Sequence, residues 1–172
     1  LREDGEGATD CFSFTHRSAR DLFLKQVSSE ECASMHARAG KLLEEKLNNG
    51  VQIDPRLLSY HFLRAGKTDS GVHYGLMAAG MYAVKQMPRK SLEVYREIRL
   101  LGGKMPATNL REVDFHIAVF EGVVGNSRKA VQTLDRLLEE IDRGQPAPES
   151  IRRPEILVQL AEFECRLGHL KK

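Results

Sequence analysis

Residues 117–125 read Ile-Ala-Val-Phe-Glu-Gly-Val-Val-Gly, and residues 160–168 read Leu-Ala-Glu-Phe-Glu-Cys-Arg-Leu-Gly. Ala118, Phe120, Glu121 and Gly125 return 43 positions later as Ala161, Phe163, Glu164 and Gly168. A looser copy sits 39 positions upstream, with Ala79, Met81, Tyr82 and Gln86 in the same slots. Self-similarity at such a period marks stacked helical hairpins, units that bury their apolar faces only against one another. The phrase predicts a mainly α fold, an α-solenoid of antiparallel helical hairpins. It also predicts a surface that holds partners rather than a pocket for chemistry.

The rest of the chain reads outward from that phrase. Upstream, Glu3 to Asp10 is a Gly/Asp-rich turn, and Phe12-Ser13-Phe14-Thr15 alternates as a short half-buried strand, with Leu1-Arg2 as the stub of a hairpin partner. Helical spacing then takes over. Ala19, Leu22, Phe23 and Gln26 share one stripe. Ser28 with Glu31 is a capping box, opening a helix to about Asn48 that is expected to bury Cys32, Met35, Ala39, Leu42, Leu43 and Leu47. Asp54-Pro55 starts a helix through Leu57, Leu58, Tyr60, His61 and Leu63 to Gly66. Thr68 or Asp69 caps the next, to about Gln86; Pro88 opens another, stopped by Gly102-Gly103. Pro106 and Thr108 begin the helix of the repeated phrase, Gly125-Asn126 turns it, and a partner runs from Arg128 to Ile141. Pro146 and Pro148 mark the longest linker, before a last helix over 151–167 with Pro154 in its first turn. Ala79, Ala118, Ala130 and Ala161 sit where neighbouring helices should touch.

The 26 Lys and Arg against 24 Asp and Glu give a net charge of +2, which is no electrostatic footprint for nucleic acid or an anionic membrane. Three scattered cysteines without a Cys-x-x-Cys pair suit a reducing, cytoplasmic compartment. No apolar run approaches membrane-spanning length. The chain begins at Leu1 without an initiator Met and stops mid-phrase at Lys172, so it reads as a piece of a larger protein truncated at its C-terminus.

Ala118, Gly125, Ala130 and Leu134 have the small–glycine–small–large spacing of tetratricopeptide repeats, and 66–71 resembles the turn of a further degenerate unit. The chain departs from that family where an aromatic is expected four residues before the glycine: Glu121 and Glu164 stand there, and only Tyr82 fits. The period also exceeds the usual 34 or so residues. Residues 12–24, 28–43 and 57–66 resemble, in order, the end of the winged-helix region of STAND-type signalling ATPases passing into their repeat arm. Kinase-linked regulators and MalT-like transcription activators carry similar stretches. That resemblance implies a junction over 1–50, with the strand before His16 as the wing, and tetratricopeptide-like repeats forming a superhelix over 54–172. It implies a regulatory, signal-transducing arm that is not itself an enzyme, with ATP bound only by a missing upstream domain.

No cofactor or metal motif is visible within the chain. Leu101-Gly102-Gly103-Lys104-Met105 lacks the first glycine and the final Ser/Thr of a phosphate loop. The six histidines form no ligand motif, although His61 and His73 fall on adjacent helices. No Gly-x-Ser-x-Gly elbow accompanies the Ser, His and Asp present. Cys32 and Cys165 read as packed hydrophobes. Glu121 and Glu164 read either as a row for a basic peptide or as acceptors at helix seams, for example from a neighbouring Arg; the second is favoured. Repeat arms of the family bind through the inner face of each first helix. Carried over, that face comprises His73, Glu112, Phe115, Val119, Glu155, Glu162 and Arg166. The implied partner is a protein, a peptide, another domain of the parent chain or a second copy. The alternative reading is a nucleic-acid-binding transcriptional regulator fragment using the winged-helix remnant, which the near-neutral charge disfavours.

Overall fold

The computed structural model describes residues 2–4, 11–13, 16–101, 105–148 and 151–168. The fold is mainly α: eight helices, α1 (Arg17–Gln26), α2 (Ser29–Asn48), α3 (Pro55–Arg64), α4 (Thr68–Val84), α5 (Pro88–Leu101), α6 (Ala107–Val123), α7 (Ser127–Asp142) and α8 (Arg153–Arg166), stand among these residues. Two three-residue strands, β1 (Arg2–Asp4) and β2 (Cys11–Ser13), pair antiparallel with Glu3 opposite Phe12. Leu1, most of the Gly/Asp-rich turn, Phe14-Thr15, the Gly102-Gly103 helix stop and the Lys171-Lys172 end lie outside the described residues.

From α2 onward each helix packs on the next in the chain, and α3 also touches α5 and α6 also touches α8. Connections of three residues, at 65–67, 85–87 and 124–126, reverse the chain direction. They close in the same way. The residue after the C-cap has positive φ at Gly66, Gln86 and Gly125, and the next amide bonds back to the fifth residue before it: Lys67 to the Phe62 carbonyl (2.9 Å), Met87 to Tyr82 (2.8 Å) and Asn126 to Glu121 (2.8 Å). This is the Schellman closure, which satisfies carbonyls the helix itself leaves unpaired.

Two apolar clusters organise the core. The first joins Leu63, Ala78, Ala79, Tyr82, Val94, Tyr95, Ile98 and Val113, with Leu110, Ile117 and Phe120 against it. The second joins Ala118, Ala130, Leu134, Leu137, Ile156, Leu160 and Phe163, with Phe115 against it. Helix α6 therefore has two apolar stripes, 110-113-117-120 and 115-118, one for each neighbour. Close approach relies on glycine. A Cβ on Gly122 would lie 2.2 Å from Phe163 Cζ, and one on Gly71 would lie 2.6 Å from Leu63 Cγ.

Several local expectations need correction. Thr68 and Asp69 do not cap α4; the N-cap is Lys67 without a side-chain bond, and Gly71 packs within the helix rather than turning the chain. In α2, Met35 and Leu42 are exposed, and the buried residue is Gly40, against the Phe62 ring. Cys165 and Ala161 are exposed, because α8 meets neighbours only through its Ile156, Leu160 and Phe163 side among the described residues. The Ser28–Glu31 capping box and the Asp54 cap with Pro55 form as their sequences dictate.

Candidate interaction face

Glu121 is 1% exposed and carries a dense set of bonds. Arg96 Nη2 of α5 donates to its Oε1 at 2.5 Å, Lys129 Nζ lies 3.0 Å from the same oxygen, and Asn126 Nδ2 donates to Oε2 at 2.7 Å. Burial pushes the carboxyl up, but the hydrogen bonds from Arg96, Asn126 and Lys129 outweigh it and hold Glu121 below the ordinary carboxylate value. A carboxylate so enclosed joins α5, α6 and α7 and, at 1% exposure, is not presented to a partner. The seam reading, with a neighbouring Arg as donor, is what the geometry gives. Tyr82, in the same slot of α4, likewise reaches back, donating to Asp54 Oδ2 at 2.5 Å while Asp54 Oδ1 caps α3. Glu164 does not repeat the pattern. It is half-buried, has no ion pair among the described residues, and raises the Asp135 carboxyl, which burial has already pushed up.

The residues carried over to the inner face fall into two groups. Glu112, Phe115 and Val119 are half-buried along α6, and Glu155, Glu162 and Arg166 are exposed along α8, its direct neighbour. Arg166 crosses the seam: Nη1 donates to the Gly122 carbonyl (3.2 Å), Nη2 to Glu162 (2.5 Å), and the guanidinium covers the Phe163 ring. His73 is exposed on α4, no Cα of which lies within 8 Å of α6 among the described residues. Phe115 is engaged in packing, against the second cluster and edge-on to His116. Behind Glu112, His116 stacks on Tyr95 at 5.0 Å; burial raises the Tyr95 hydroxyl to about 12, with Glu112 adding, and lowers His116 despite Glu112.

The sequence reading missed the apolar part of these faces. Met77 and Val84 on α4, Val123 on α6 and Val158 on α8 are 47%, 84%, 49% and 63% exposed. The signal was available: His73, Met77, Gly80 and Val84 fall at i, i+4, i+7 and i+11, a helical stripe opposite the buried one. It also missed the partner of His61. That ring meets His36 of α2, with Nδ1 atoms 3.0 Å apart, rather than His73. Tyr60 is edge-on to both rings, and Arg64 lies over the Tyr60 face. Burial lowers both histidines, with Arg64 adding at His36 and His36 adding at His61. Among the described residues no group of three or more His, Cys, Asp or Glu side chains is arranged to hold a metal ion.

No family model, no curated protein and no solved structure matches the chain. No helix among the described residues is long and apolar enough to cross a membrane.

Proposed function

We propose that this chain is a non-catalytic protein-interaction region, a tetratricopeptide-like α-solenoid that serves as the regulatory arm of a larger signalling ATPase or kinase-linked regulator. The observation that carries the reading is the ordered packing of α2 to α8, each helix on the next, with one closure geometry at 65–67, 85–87 and 124–126. Elements that meet mainly their chain neighbours build an elongated array, and arrays of this kind present long faces rather than deep pockets. The exposed apolar stripe of α4 and the mixed face of α6 and α8 supply such a surface. The β1–β2 pair ahead of α1 is in keeping with the wing of the junction that the sequence resembles. A partner on the face acts by binding one arrangement of arm and upstream core better than another, since only differential contacts shift an equilibrium.

The non-catalytic half of the proposal is tested with the purified chain and ATP plus magnesium. The expected outcome is phosphate release no faster than the buffer blank. Turnover that survives repurification and is abolished by a point substitution in this chain contradicts it.

A further inference from the structure

We infer that the side of α8 carrying Val158, Ala161 and Cys165 seats one amphipathic helix of a partner protein, a helix that reads lysine, small residue, then large apolar residues four and seven positions beyond the small one. Val158 is 63% exposed, and Ala161 and Cys165 are exposed with it, at i, i+3 and i+7 on the side of α8 opposite Ile156, Leu160 and Phe163. The corresponding positions are Phe115, Ala118 and Gly122 on α6 and Leu76, Ala79 and Ala83 on α4. Those two sides are covered. Ala79 and Ala118 are 0% exposed. Ala118 packs with Ala130, Leu134 and Leu137 of α7, and the Ala79 carbonyl accepts from Ser91 Oγ of α5 at 2.9 Å. Helix α8 contacts only α6 and α7 among the described residues. A stacked array keeps a polar face where it meets water, so an apolar one marks a place for another element.

The covering helices say what fits. Ser91, Tyr95 and Ile98 of α5 and Ala130, Leu134 and Leu137 of α7 are buried at the same spacing. The small residue lets two backbones approach at the alanine, and the larger pair fills the groove beyond it. In both helices a lysine precedes the small residue. Lys90 lies over the Tyr82 ring at 5.5 Å, and Lys129 Nζ lies 3.0 Å from Glu121 Oε1. Tyr82 and Glu121 hold one slot of the repeat, and Glu164 holds it on α8.

At Glu164 the slot lacks its cation. The carboxylate is half-buried and has no ion pair among the described residues. Where α5 presents Arg96 to Glu121, the matching position of α7 is Asp135, whose carboxyl is pushed up first by burial and then by Glu164 and Glu139. A lysine delivered by a docked helix supplies the missing partner, as Lys129 does for Glu121. A second copy of the chain is a poor occupant: its α5 and α7 have the fitting residues buried, and its α8 brings another Glu164. The seat lies on a different side of α8 from Glu155, Glu162 and Arg166 and stands whether or not the chain is a regulatory arm.

The test is fluorescence anisotropy with the full chain and a labelled synthetic peptide of residues 126–142, which carries the pattern as Lys129, Ala130, Leu134 and Leu137. Saturable binding is expected. Val158→Asp, at an exposed position, should weaken it about tenfold, the factor that corresponds to losing one valine-sized apolar contact, with the helical circular dichroism unchanged. A peptide carrying Lys129→Glu should bind the wild-type chain more weakly, and Glu164→Lys in the chain should restore its binding; recovery by that exchange marks a direct contact. Absence of saturation, equal binding by wild type and Val158→Asp, or no recovery in the charge exchange overturns the proposal. So does concentration-dependent dimerisation in sedimentation that Val158→Asp abolishes, which assigns the face to a second copy.

Discussion

At the scale of single residues, Glu121 and Glu164 show how one sequence slot can hold two different physical situations. The slot is the fourth residue before the turn glycine; in the Glu121 copy its carbonyl receives the closing amide of Asn126. What the side chain does is decided by the neighbouring helices. Glu121 has Arg96, Asn126 and Lys129 within bonding distance, whereas Glu164 has Asp135 as an unfavourable neighbour. Replacing Glu121 by Ala should lower the unfolding free energy by about 2–3 kcal/mol, below the cost of breaking a fully buried pair because the Arg96 and Lys129 side chains are half exposed and regain water. Glu121→Gln, which keeps the volume and an acceptor, should cost about 1–2 kcal/mol. Glu164→Ala should stay within about 0.5 kcal/mol of wild type. Urea denaturation of the three variants checks the order; equal effects at 121 and 164 contradict it. The recurrence of glutamate was legible in the sequence. That only one copy is a structural acceptor was not, since Arg96 approaches from a different helix.

At the scale of elements, the parts legible in sequence are those fixed by local chemistry: the Ser28–Glu31 box, the Asp54-Pro55 start, the Gly66 and Gly125 closures. The phase of α2 was misread because its buried face is selected by Phe62 on α3, which inserts against Gly40 where no large apolar side chain marks the contact. Gln86 stands at the one closure without glycine, and it is the one non-glycine residue with positive φ among the described residues. A side chain there bears the steric cost of left-handed backbone, so Gln86→Gly should raise stability by roughly 0.5–1 kcal/mol, read as an increased denaturation midpoint at unchanged slope. The α2–α3 contact carries its own signature. Because burial, then Arg64 or the paired ring, lowers both His36 and His61, the unfolded chain binds protons near pH 6.5 that the folded chain refuses. Stability is complete above that pH and declines as pH falls toward the folded values. His116 adds in the same direction. Substituting His36 and His61 together by Gln should flatten the decline between about pH 7 and 5.5 without abolishing it; an unchanged slope in denaturation curves across that range would show that the pair is not the proton-linked element.

At the scale of the whole molecule, the mainly α character and the order of helices were legible because each helix announces its own ends. The division of the face was not. Sequence register aligned His73 with Glu112 and Glu155, but α6 touches α8 directly while α4 stands further off, a spacing set by how α5 seats between them. The repeat is therefore looser on the α4 side than the phrase suggests, and the exposed Met77, Val84, Val123 and Val158 give the surface more apolar character than its charged residues indicated. Whether the first-helix face holds a protein partner, as proposed, is read by site-specific photo-crosslinking in cells. A photoreactive residue is placed at Met77, Val119 or Glu162 on that face, and at Leu100 or Asp135 on the second helices. One shared crosslinked protein is expected from the first three positions and none of it from the other two. Equal capture from both sets, or the shared product arising only from Leu100 and Asp135, would contradict it.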